Sequence, residues 1–147
     1  MRLASLSETE ATGQAIAGAL QPGDVVAISG ELGAGKTAMA RGIVHGLGFG
    51  GEVSSPTFPI VQVYDEPYMR LPLWHVDLYR IENAASIDEL GLDEAREHAA
   101  LVIEWPERMG ARLWPNALRL EITRLSEGER ALTAIVPPAW ESRWPLR

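Results

Sequence analysis

"VVAISGELGAGKTAMARGIVHG", residues 25–46, decides the fold of this chain. Its opening, Val25-Val26-Ala27-Ile28, is a compact apolar run between Asp24 and a cluster of glycines, the pattern of a strand buried on both faces. Beyond the glycines, Met39, Ile43 and Leu47 recur every four residues, as one face of a helix requires. Gly46 and Gly48 mark where that helix ends. The stretch predicts a strand, a glycine-rich turn and a helix, in that order.

The turn itself carries chemistry. Gly30, four residues, then Gly35-Lys36-Thr37 fits G-x-x-x-x-G-K-[ST]. Glycines let successive backbone N–H groups turn inward and form a concave nest for anionic oxygens. Gly33 adds further freedom, and a helix opening near Lys36 aims its positive dipole end at the same place. Lys36 is the only lysine among the 13 basic side chains; all the others are arginine. A slim ammonium on a flexible stem can lie along such a loop and bridge β- and γ-phosphates, where a wide, planar guanidinium would not fit. Thr37 offers a hydroxyl to Mg²⁺. Gly30, Leu32, Gly33, Ala34, Gly35, Lys36, Thr37 and Ala38 are therefore the candidate nucleotide-binding residues.

At 147 residues the chain fits a single domain, 1–147, with 46% hydrophobic content enough for a real core. The absence of cysteine excludes both a disulfide scaffold and a thiolate metal site. No apolar run approaches the roughly 20 residues that cross a bilayer. The N-terminus "MRLASLSETE" lacks the apolar core of an export signal, so a cytoplasmic protein is expected, without a membrane partner. The net charge of −7 argues against non-specific nucleic-acid binding by the whole surface. It leaves open RNA as the substrate of a larger complex.

Elsewhere, Ser7 and Glu10 have capping-box spacing and predict a helix to about Leu20. Strands are expected at 58–64, 73–79 and 100–105. A helix is expected in "SIDELGLDEAREHAA", opening with the same spacing at Ser86 and Glu89. "ALRLEITRL" and "RALTAIV" alternate apolar and polar residues about a Ser-Glu-Gly-Glu turn, an antiparallel hairpin with one wet face. The tail "PPAWESRWPLR" is expected to be irregular. The sum is a three-layer α/β domain with a mixed sheet.

Hydrolysis needs more than a phosphate loop: a second magnesium contact and a group to position water. Ligands of α/β sheets gather at strand ends. Glu104 closes the apolar run Leu101-Val102-Ile103, a placement suited to a magnesium-side acid, the alternative being a rim ion pair. Asp77, within "LWHVDLYR", requires a partner, be it Arg80, a backbone turn or a metal-bound water. Thr57, in "SSPTF", fits either a switch residue reaching the γ-phosphate or Mg²⁺, or an ordinary turn. Trp105 packs against nucleotide or partner, or covers the sheet edge. His75 reads better as a hydrogen-bonded strand-edge residue than as a base. Trp140 and Trp144 are a partner-binding handle or cover the open end of the domain.

Taken together, "GELGAGKT", "SSPTF", "HVDLYR" and "EWPER" resemble, in order and rough spacing, the motifs of the TsaE family, small bacterial ATPases of tRNA threonylcarbamoyladenosine synthesis. The last three are specific to that family, and the resemblance covers nearly the whole chain. It implies a P-loop NTPase fold with a mostly parallel central sheet and antiparallel additions. It implies weak Mg²⁺-dependent ATP hydrolysis alongside the threonylcarbamoyl-transferase heterodimer of TsaB and TsaD type proteins, with tRNA reached through that complex. By position, Lys36 and Thr37 match the family's phosphate and magnesium residues. Thr57 matches its switch-like threonine, Asp77 its catalytic acid, Glu104 its magnesium-side glutamate and Trp105 a tryptophan beside the site.

Two other readings compete. A small-molecule kinase of this size needs an arginine-rich lid, whereas "RIENAASIDELGLDEAREHAA" is acidic and offers only Arg80 and Arg96. A nucleotide-gated binding module without turnover sits poorly with intact Lys36, Thr37, Asp77 and Glu104. Adenine is favoured over guanine, because an Asn-Lys-x-Asp motif cannot exist in a chain whose one lysine is Lys36.

Overall fold

The computed structural model describes residues 1–54 and 60–146. Its strands are β1 (Arg2–Leu3), β2 (Val25–Ser29), β3 (Val61–Tyr64), β4 (Leu73–Asp77), β5 (Ala100–Glu104), β6 (Leu118–Arg124) and β7 (Arg130–Ile135). They form one seven-stranded sheet in the order β1-β7-β6-β2-β5-β4-β3. In its middle β6, β2, β5 and β4 run parallel, while β3 and the β6–β7 hairpin add antiparallel pairings at the two sides. The mixed, mostly parallel sheet and the closing hairpin are those expected.

Parallel strands must be covered on both faces, and this sheet is. Val26, Ile28, Val102 and Leu120 pack under α1 (Leu6–Ala19) and α2 (Lys36–Gly46), against Ile16, Met39 and Ile43. The alternate residues Val25, Val76, Leu101 and Ile103 pack on the other side against Ile87, Leu92 and Met109. Those three come from a 3₁₀ segment Ala84–Leu90, the short helix α3 (Leu92–Ala95) and a second 3₁₀ segment Pro106–Arg112. Ile16, Met39 and Ile43 are fully buried, each contributing on the order of 1.5–3 kcal/mol by leaving water. The result is three layers.

Helices α1 and α2 meet backbone to backbone. A Cβ on Gly42 would lie 2.1 Å from the Glu10 carbonyl oxygen, and one on Gly13 2.4 Å from that of Met39. This close approach seats α2, and with it the glycine-rich turn, firmly on the sheet.

Several local expectations are corrected. The cap of α1 is Ser5, not Ser7: its hydroxyl accepts from Glu8 N at 3.2 Å, and Glu8 in return accepts from Ala4 N at 3.2 Å. The same Ser-x-x-Glu spacing occurs twice in succession, and the start at Ser5 frees Glu10, inside the helix, to pair with Arg41 at 2.9 Å. Strand β1 had no signal in so short a run; it exists because β7 offers it an edge. The helix expected from Ser86 is broken, since Gly91 takes a left-handed φ of 73° that ends the 3₁₀ turn before α3. Its cap is Asn83, whose side chain accepts from Ala85 N. The tail is not wholly irregular either. Helix α4 (Pro138–Glu141) buries Trp140 in the α1–α2 core, so Trp140 covers the fold.

Gly42→Ala should therefore cost about 1–3 kcal/mol in urea unfolding, the penalty of overpacking against fixed backbone. Gly18→Ala, in the same helical layer with nothing within 4 Å of the added methyl, should gain about 0.5–1 kcal/mol.

Candidate functional site

The site lies at the C-terminal ends of β2, β4 and β5. After Ser29 the chain turns through Gly30 (φ 152°), Gly33 (φ 78°) and Gly35 (φ 105°), conformations open chiefly to glycine. Gly30 also has no room for a side chain, because a Cβ there would sit 2.5 Å from the Ile122 carbonyl oxygen. Gly35 caps α2 with no side-chain hydrogen bond, so the first N–H groups of an 11-residue helix stay directed at the loop. Ala34 and Ala38 are buried behind the turn, while Leu32 stands exposed at its tip.

Lys36 is nearly buried. Its ammonium donates to the carbonyls of Gly30 (2.6 Å) and Glu31 (2.8 Å) and lies 4.4 Å from the centre of the Trp105 ring. Burial lowers its pKa from the ordinary lysine value; the surrounding carboxylates of Glu104, Asp77, Glu107 and Glu31 oppose that shift, Glu104 most strongly. The loop's lysine therefore sits in a ring of acids.

Parallel register brings the acids there. Glu104 lies opposite Ile28 of β2 on one side and Asp77 of β4 on the other. The Thr37 hydroxyl stands 3.4 and 3.5 Å from the two Glu104 oxygens. Asp77 is 5% exposed, and its Oδ1 accepts from Tyr79 N at 3.0 Å, the backbone turn that was one of its expected partners. Thr37 and Glu104 together supply hard oxygen donors, which suit Mg²⁺. No cluster of three His, Cys, Asp or Glu forms a complete cage among the described residues.

Trp105 is the one non-glycine residue with positive φ among the described residues (φ 59°, ψ 50°). Pro106 follows it and disfavours right-handed helical geometry at the preceding residue. The left-handed turn costs about 1–3 kcal/mol and lays the indole over Lys36, with the Tyr79 ring 4.9 Å away on centroids. Next to them opens a cleft of about 530 Å³, lined by Leu32, Tyr79, Trp105, Glu107 and Glu121 among others.

Thus Gly30 to Ala38, Asp77, Glu104 and Trp105 converge on one place, whereas Thr57 lies outside the described residues. Two contributors were not foreseen. His75 is not at a strand edge but fully buried, with Nε2 2.6 Å from Glu104 Oε2; its shared alternation with Asp77 in "HVD" was the available signal. Arg130, first residue of β7, reaches under the loop and donates to the carbonyls of Ala34 (2.7 Å) and Gly33 (3.2 Å). It also donates to the hairpin carbonyls of Ser126, Glu127 and Glu129. Nothing in sequence sets it apart from the other arginines.

A sheet with a parallel centre, a glycine-rich anion nest, an invaginated lysine and two strand-end acids define a phosphate-loop nucleotide-binding protein. The sequence profile of the family described as "Threonylcarbamoyl adenosine biosynthesis protein TsaE" matches residues 3–132. The Bacillus subtilis "tRNA threonylcarbamoyladenosine biosynthesis protein TsaE" is 37% identical over 133 residues, 90% of this chain and 82% of that protein. Its namesake in Streptomyces coelicolor is 42% identical over 113 residues, 76% of each. Among solved structures, that of Bacillus subtilis YdiB superposes with a TM-score of 0.81 at 33% identity, covering 97% of this chain and 88% of that one. The chain belongs to the TsaE family, as its four motifs implied.

Arg130→Met should leave two loop carbonyls without donors and loosen the nest. An unsatisfied buried polar group costs about 1–3 kcal/mol, so nucleotide affinity by calorimetry should fall about tenfold or more.

Proposed function

We propose that this protein binds ATP with Mg²⁺ and hydrolyses it slowly, as a subunit serving the threonylcarbamoyl-transferase heterodimer of TsaB and TsaD type proteins. The family belongs to threonylcarbamoyladenosine biosynthesis, and the tRNA is met through the complex rather than by this acidic chain. The reading extends to one domain over residues 1–147, working in the cytoplasm. No helix among the described residues is long and apolar enough to cross a membrane.

One observation carries it: Lys36 and Thr37 open an uncapped helix directly against the paired strand-end acids Asp77 and Glu104. In the proposed mechanism the loop N–H groups of Gly30 to Ala38 hold the phosphates, and Lys36 neutralises them. Thr37 and Glu104 would hold the magnesium, whose positive charge would offset the negative charge developing on the phosphoryl oxygens. Asp77, held by the Tyr79 amide, orients the attacking water, and Thr57 reports the γ-phosphate as a switch residue. Trp105 closes one wall of the site over Lys36 and the nucleotide.

The first test is ATP turnover by the purified protein with Mg²⁺, alone and with the heterodimer plus tRNA. A low rate that rises in the complex is expected. A phosphorylated metabolite, with no response to those partners, would instead mark a small-molecule kinase. Within the site, Asp77→Asn should keep nucleotide affinity and lose turnover by about 10²-fold or more. Lys36→Ala should weaken binding itself. Equal loss of affinity in both would make Asp77 a structural residue.

A further inference from the structure

His75 is a polar side chain where the packing asks for none. It sits in β4 with no exposed surface, between Trp74 and Val76 and opposite Val102 of β5. An aliphatic residue would fill such a position without desolvation cost. Among the described residues its ring makes one polar contact, Nε2 to Glu104 Oε2 at 2.6 Å. Its Nδ1 is the one buried side-chain nitrogen or oxygen among the described residues without a hydrogen-bond partner.

The contact with Glu104 defines what the ring does. A carboxylate oxygen only accepts, so Nε2 carries the hydrogen. His75 thus has a single polar task among the described residues, donation from Nε2 to one oxygen of Glu104. The donation runs diagonally across the β4–β5 pair, because the residue directly opposite Glu104 is Asp77 and His75 shares its face two positions earlier. It fixes the plane of a carboxylate whose only other polar side-chain neighbour in hydrogen-bond range, among the described residues, is the Thr37 hydroxyl.

We propose that His75 is a positioning residue for magnesium: by anchoring Oε2 of Glu104 it holds that carboxylate toward Thr37, so that the cation meets preset oxygens. This rests on the proposed Mg²⁺–nucleotide reading of the site. It adds a residue that touches neither nucleotide nor metal. Groups that orient metal ligands from outside commonly change metal affinity by about 10- to 100-fold when removed.

The test is the affinity of the intact protein for a fluorescent ADP analogue, titrated with and without Mg²⁺, for wild type, His75→Leu, His75→Gln and His75→Asn. The Gln amide nitrogen falls close to where Nε2 sits and can still donate to Glu104; the shorter Asn amide cannot reach. His75→Leu and His75→Asn should need about tenfold more Mg²⁺ for half-maximal tightening, with metal-free affinity within twofold of wild type. His75→Gln should recover most of the magnesium response. Thermal melting monitors folding, and if His75→Leu does not fold, the Gln–Asn contrast decides alone. Wild-type magnesium dependence in all three variants, or equal loss in Gln and Asn, overturns the positioning role and leaves the nucleotide site standing. A wild type whose affinity ignores Mg²⁺ overturns both.

Discussion

A backbone that turns its N–H groups inward to receive anions must turn its carbonyls outward, and those carbonyls need donors. Here two cations provide them from opposite sides. Lys36 takes Gly30 and Glu31, and Arg130 takes Gly33 and Ala34. Much of the architecture follows from satisfying this one requirement. Arg130 arrives only because the β6–β7 hairpin folds back beside β2, with its guanidinium braced by the hairpin's own carbonyls. Lys36 arrives because α2 begins at that residue, and α2 is pinned by glycine contacts to α1.

The same constraint shapes the electrostatics. A lysine buried by its loop would lose its charge readily in apolar surroundings. The acids at the ends of β4 and β5 counter that tendency, Glu104 foremost. Glu104 in turn is buried and takes its own donors, His75 on one side and Thr37 on the other. A chain of polar contacts thus runs from His75 through Glu104 to Thr37 at the head of α2. Such a chain is well suited to receive a magnesium ion and phosphates together. Trp105 adds an aromatic wall at the expense of a strained φ, a cost borne at a site rather than in the core.

How much was readable beforehand varied with the range of the forces involved. The loop was legible because its demands are local: glycine at positive φ, a slim cation and a hydroxyl, all within eight residues. Glu104 and Asp77 were legible as acids in apolar strands, since such residues rarely lack a reason. The cap was placed at Ser7 rather than Ser5 because two overlapping Ser-x-x-Glu spacings compete, and in the fold Glu8 closes the box with Ser5 while Glu10 pairs with Arg41 of α2. The stretch from Ser86 to Ala100 reads in sequence as one helix because its capping signals outweigh Gly91, yet a single left-handed glycine suffices to split a short helix. Thr57, read from "SSPTF", lies outside the described residues.

By itself the sequence determined the strand–loop–helix unit, the nucleotide-binding character and the family, because these rest on residue types at short fixed spacing. Tertiary structure alone decided which distant groups complete the site. Parallel register set Glu104 between Ile28 and Asp77, burial turned His75 from a strand residue into the partner of Glu104, and the hairpin delivered Arg130 beneath the loop. Those choices depend on strand order and on which face each side chain takes, and neither is written in any one stretch of chain.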